Sequence, residues 1–165
     1  MSYQEKRNMT NIVVMTLLLA AYCLFAFTRY SITDELRAWA IVMLTFMGIG
    51  TLAMIVIQIL FHVFFAVGIA VREAIHDERV DDSAIEGVMN VEMIEDERDQ
   101  LISSKAERIS PIINGIGFVI GLVFLILDSP PPVMLNIIFI SFFIGSIIEE
   151  TSKIFYYRRG AAYAR

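Results

Sequence analysis

The stretch Asp96–Leu127, "DERDQLISSKAERISPIINGIGFVIGLVFLIL", changes character at one point. Up to Ser110, charged and hydroxyl side chains crowd around a few leucines and isoleucines, and from Pro111 to Leu127 there is no charge at all. An uncharged run of this kind approaches the roughly 20 apolar residues that a helix needs to cross a hydrocarbon core about 30 Å thick. The charged stretch before it then reads as the same helix continuing into water, with Lys105 and Arg108 able to reach lipid headgroups. On a helix, Ser103, Glu107, Ser110, Asn114, Gly117 and Gly121 recur at intervals of 3 and 4 and share one face. The polar stripe therefore continues into the membrane as small residues. Pro111 marks the place where the chain bends or enters the bilayer, because its ring disrupts the preceding turn.

The rest of the chain agrees with a membrane reading. Of its 165 residues, 57% are hydrophobic, against a little under half in soluble domains, and the mean hydropathy is +0.66. Besides Ile109–Leu127, the segments Met9–Thr28, Ala38–Val71 and Val133–Tyr157 can cross a bilayer. No segment shows the alternation of a barrel strand. The expected fold is an all-α integral membrane four-helix bundle in a single domain over residues 1–165. Its spans lie at 9–28, 38–71, 109–127 and 133–157, and a helical cytoplasmic linker occupies 72–108.

The second span, 34 residues or about 51 Å of helix, is too long for the bilayer and must tilt or protrude. Within the linker the helix is expected to run to about Asp82, break near Gly87 and resume near Asp96. Ser31 and Asp34 offer a capping box for the second helix, which places Trp39 at the outer interface. The first segment reads as a retained span, since no small-x-small cleavage site follows it. Cys23, the sole cysteine, excludes an intrachain disulfide and reads as a small apolar filler.

Orientation follows from the basic residues. With both termini in the cytoplasm, eleven of the thirteen Lys and Arg lie inside and only Arg29 and Arg37 lie outside. The net charge of −5 comes mainly from the linker, where twelve acidic residues fall between Glu73 and Glu107. That excess argues against a nucleic-acid partner or an anionic lipid surface for this loop.

The opening "MSYQEKR", the element Asp96-Glu97-Arg98-Asp99, Ile102, Lys105-Ala106, Arg108-Ile109, and the ending "PVMLNIIFISFF" followed by Tyr156–Gly160 carry a resemblance over most of the chain. The protein resembles a family of small four-helix bacterial inner-membrane proteins. The resemblance implies that fold and a location in the bacterial inner membrane; it brings no activity with it.

Polar residues within spans point to function, because each costs free energy unless paired or hydrated. In the second span Gly48, Thr51, Gln58 and His62 share a face, and in the fourth Ser141, Gly145, Glu149 and Ser152 do, with Glu150 directed elsewhere. In one reading Gln58, His62, Asn114 and Glu149 converge on a hydrated pocket that takes a proton or cation from the cytoplasm. In the plainer one, Glu149 pairs with Lys153 one turn on, His62 donates to a backbone carbonyl, and the glycines let helices approach. His76, Asp77 and Asp81 have donors suited to a divalent ion, but they lack the spacing and central glycine of a calcium loop and fit a solvated acidic face better.

No set of nucleophile, base and orienting acid is present, so neither an enzyme nor a bound cofactor is expected. Arg98, Asp99 and Lys105 are the candidate contacts for a cytoplasmic protein partner. The overlong second helix and the linker residues Val88, Val91, Met93 and Ile94 leave apolar surface that a homodimer would cover. The expected function is that of a non-enzymatic interaction or regulatory membrane protein. The alternative is a small proton- or cation-coupled transporter or channel.

Overall fold

The computed structural model of the protein describes residues 3–31, 35–76 and 97–159. They form helices α1 (Tyr3–Arg29), α2 (Leu36–His76), α3 (Glu97–Ala106), α4 (Ile109–Ile126) and α5 (Pro131–Arg159). Four stretches are long and apolar enough to cross a membrane: Gln4–Arg29, Leu36–Phe61, Asp99–Ile126 and Pro131–Arg158. Among the described residues there is no strand, and the architecture is that of an all-α, four-helix membrane protein. Its outside is apolar, with Leu24, Leu44, Phe64 and Ile126 all about two-thirds exposed or more. Soluble monomers rarely carry contiguous apolar surface on this scale, whereas lipid solvates it.

Helices α3 and α4 are one helical run interrupted at Glu107–Arg108. Pro111 dictates the interruption, because its ring would meet the carbonyl four residues earlier, at Glu107, and it has no N–H to offer there. The run closes on a bond from Glu107 N to Ser103 O at 2.8 Å and restarts at Ile109. Pro111 then falls in the first turn of α4, where N–H groups lack intrahelical partners in any case. The bend expected at Pro111 thus lies just ahead of it, and Glu107, at the break, is exposed.

Helix α5 is the hub. α4 packs along it most extensively, α1 packs along another side, and α3 leans on its C-terminal half. α2 packs chiefly on α1 and touches α5 at few positions, so the order across the bundle is α2, α1, α5, α4. The aromatic core lies among the first three. Tyr22, Trp39 and Phe139 are buried, with the Tyr22 ring 4.4 Å from Phe139 and edge-on to Phe46 at 5.4 Å. Cys23 is half-buried against this cluster, which fits a filler.

Trp39 is fully buried, its ring 5.9 Å from both Phe27 and Tyr30, and its Nε1 donates to the Ser31 carbonyl at 3.1 Å. The cause is phase: α2 begins at Leu36, and Trp39 falls on the face that carries Val42, Met43 and Phe46 toward α1. Asp34, the other half of the expected capping box, lies outside the described residues, as does the segment 77–96 with the expected break near Gly87 and Val88, Val91, Met93 and Ile94.

The α4–α5 seam is built on small residues. A β-carbon at Gly117 would overlap Ser141, one at Gly121 would lie 3.1 Å from Met134 Cγ, and one at Gly145 would lie 2.9 Å from Asn114 Oδ1 and 3.2 Å from the Ser110 carbonyl oxygen. Lipid tails are as apolar as leucine, so close backbone approach and dispersion hold such helices together. Beyond Ile126 the chain turns through Asp128 at φ 58, with Asp128 N bonded to Leu125 O (3.2 Å) and Ser129 N to Phe124 O (3.1 Å). This paired closure caps the last carbonyls of α4. The prolines that follow cannot continue that helix, and Pro131 opens α5.

Candidate functional site

The densest polar constellation among the described residues lies at one end of the bundle, between the start of α1 and the last turns of α5. α1 opens with polar residues at Gln4, Asn8 and Asn11, whose spacings of 4 and 3 put them on one face. All are buried, although they are amides. Opposite them α5 supplies Glu149, Glu150 and Lys153. Lys153 Nζ stands 2.9 Å from Glu149 Oε1 and 3.3 Å from Glu150 Oε1, and all three side chains are largely buried. With its nitrogen turned toward the acceptors, the Asn8 amide donates to Glu150 Oε2 and to the Gln4 carbonyl oxygen, both at 3.2 Å. Arg158 Nε lies 4.0 Å from Glu5 Oε1 at the rim.

The arrangement follows from helical spacing. Lys153 is one turn from both carboxylates, at i+4 from Glu149 and i+3 from Glu150, so a single ammonium bridges the two. Glu150, expected to point elsewhere, is therefore drawn into the same network and is tied to α1 by Asn8. Two carboxylates and one ammonium leave a formal charge of −1 among amides. Gln4 Oε1 is buried with no hydrogen-bond partner. Beside this cluster, Lys105 Nζ of α3 lies 5.8 Å from the centre of the Tyr156 ring.

The expected pocket residues are distributed differently. Glu149 belongs to the Lys153 network, which is the pairing of the plainer alternative. Asn114 is on α4 and faces α5 beside Gly145, its Oδ1 buried without a partner. Gln58 is on the exposed side of α2, at the rim of an apolar cleft of about 370 Å³ lined by Met15, Leu18, Phe46, Met54 and Phe143. α2 and α4 flank the row and pack on α1 and α5, so Gln58 and Asn114 are not brought together. The side chain of His62 lies outside the described residues, as do those of His76 and Arg98 and the whole of Asp77 and Asp81. Among the described residues no group of three His, Cys, Asp or Glu could hold a metal. Asp99 is half-buried on α3, the helix anchored by the fully buried Ile102 and Ala106.

A second polar contact was also hidden in the sequence. Tyr22 Oη donates to Asn136 Oδ1 at 2.6 Å, and Asn136 Nδ2 donates to the Pro132 carbonyl at 2.8 Å, so the half of the bundle away from the charged cluster is not wholly apolar. The available signals were the spacing of Gln4, Asn8 and Asn11 ahead of an apolar run, and one asparagine in an otherwise apolar span. No family model matches the sequence, and no curated protein or solved structure matches it either.

Proposed function

We propose that this is a non-enzymatic interaction or regulatory protein of the bacterial inner membrane, acting as a homo-oligomer with both termini in the cytoplasm. One observation carries the choice. At the base of α1 and α5 the charged groups are bonded to one another, while Tyr22, Trp39, Phe46 and Phe139 fill the interior beyond them. Charged groups paired with one another beneath an aromatic block suit a rigid scaffold and are poor material for a conducting path. In this reading α3 offers Arg98, Asp99 and Lys105 to a cytoplasmic protein partner, on a helix held firmly to the bundle by Ile102 and Ala106. The location and orientation rest on the bias of eleven inside to two outside basic residues and on the family resemblance.

The competing reading, a small proton or cation carrier, draws on Glu149 and on the unpartnered Gln4 Oε1. Reconstitution into liposomes separates the two. With an imposed proton or potassium gradient, the wild-type protein is expected to give no more flux than empty liposomes; a flux that Glu149→Gln abolishes in a folded protein would overturn the scaffold reading.

A further inference from the structure

Helix α2 reaches α5 at few positions, and the space left between them over α1 is the cleft of about 370 Å³. α1 contributes Met15 and Leu18 to it, α2 contributes Met47, Thr51 and Met54, and Phe143 of α5 lines the far side. Methionine side chains are flexible and adapt to the shape of what lies between them. The Thr51 hydroxyl is satisfied within its own helix by the Met47 carbonyl at 2.9 Å, so the middle of the cleft asks for no polar partner.

Both walls end in an amide. On α1, Asn11 precedes Met15 and Leu18 at spacings of 4 and 3; on α2, Gln58 follows Met47, Thr51 and Met54 at spacings of 4, 3 and 4. Leu18 lies 3.5 Å from the position of a β-carbon on Gly50, and Tyr22 meets Phe46, so the two helices are antiparallel. Asn11 is seven residues back from Leu18 and Gln58 is eight forward from Gly50. The two amides therefore stand within one residue of the same depth. Asn11 is only 7% exposed, and neither side chain makes a hydrogen bond among the described residues. An amide left unpaired in an apolar layer costs free energy, and two of them at one end of a cleft ask for a ligand that is polar at that end alone.

Depth narrows the ligand. Arg7 and Lys6, the first basic residues of α1, lie about one turn beyond Asn11, so the amides stand just inside the membrane edge. From Gln58 to Phe46, which also lines the cleft, is 12 residues or about 18 Å of helix, close to half of a hydrocarbon core about 30 Å thick. That is the reach of one leaflet's acyl chain, and such a chain begins at an ester carbonyl. We infer that the cleft holds one acyl chain of a membrane phospholipid, with the side-chain N–H groups of Asn11 and Gln58 donating to its ester carbonyls. An ester oxygen only accepts and an amide nitrogen only donates, so the pairing is complementary. The inference goes beyond the proposed function and requires only that the chain sits in a membrane.

The test uses the full-length, delipidated chain in detergent, titrated with phosphatidylglycerol and read by native mass spectrometry. Two forms of equal chain length are compared, the diacyl lipid and its dialkyl ether, which lacks the ester carbonyls. The wild type is expected to retain one diacyl molecule per chain, about threefold to tenfold more tightly than the ether. Asn11→Leu combined with Gln58→Leu should bring the diacyl lipid down to the level of the ether. Thr51→Trp, at an exposed position on the wall of the cleft, should weaken both forms about tenfold, whereas Ile116→Trp on the exposed side of α4 should change neither. Circular dichroism checks that each variant is folded, and the comparison of the two lipids on the wild type needs no variant. Equal affinity of the wild type for the diester and the ether would overturn the role of the amides. Retention that a folded Thr51→Trp leaves unchanged would overturn the site, and displacement of the phospholipid by an equal concentration of oleate would overturn the phospholipid in favour of a free fatty acid.

Discussion

The two faces of α5 hold their neighbours by different means. Toward α4 it offers Ser141 and Gly145 to Gly117, Ser110 and Asn114, and the backbones approach until a single methyl group would not fit. Toward α1 it offers Glu149, Glu150, Lys153 and Asn136: Lys153 bridges the two carboxylates within α5, and contact with α1 is made by hydrogen bonds that Asn8 donates to Glu150 and Tyr22 donates to Asn136. The first face depends on shape, which tolerates no added volume. The second depends on mutual satisfaction of polar groups, which tolerates no deletion. Each should fail under the substitution the other withstands.

The largest effect is expected at Lys153. Lys153→Met keeps the length of the side chain and removes the ammonium, leaving Glu149 and Glu150 adjacent and largely buried, at a cost of about 3 kcal/mol. Titration of the purified protein from mild detergent into dodecyl sulfate, followed by circular dichroism, reads this directly. An unchanged midpoint would mean that the network does not hold α1 to α5. Next comes a pair on α4. Gly117→Ala should cost about 2 kcal/mol because Ser141 must move. Gly115→Ala, two residues away with nothing near its β-carbon, should be neutral or stabilise by up to about 1 kcal/mol. Equal responses at the two glycines would remove shape as the basis of the α4 face.

Tyr22→Phe is expected to be milder. It leaves Asn136 Oδ1 without its donor but preserves the ring in the aromatic core, for a loss of about 1 kcal/mol. The smallest effect concerns the turn that joins the two halves of the shape-dependent face. Asp128 is held at φ 58, and Asp128→Gly should stabilise by somewhat under about 1 kcal/mol, read as a small upward shift of the same midpoint. A destabilised Gly variant would indicate that the Asp128 side chain has a role of its own.

Much of this molecule was written in single-residue chemistry. Four apolar runs of membrane length, the stripe of Ser110, Asn114, Gly117 and Gly121, and the prolines at 130–132 each announce their structure locally, because run length, helical spacing and missing N–H groups act within one element. The order of helices across the bundle was decided only in three dimensions. In lipid the outside of a helix is as apolar as its inside, so hydrophobic periodicity does not say which face turns inward, and it could not reveal that α5 is the hub or that Trp39 is buried. The same holds for the polar cluster. Gln4, Asn8 and Asn11 resemble a solvated helix start until α5 brings Glu149, Glu150 and Lys153 against them. Whether a polar side chain meets water or a partner depends on the neighbouring helix, which its own sequence does not contain.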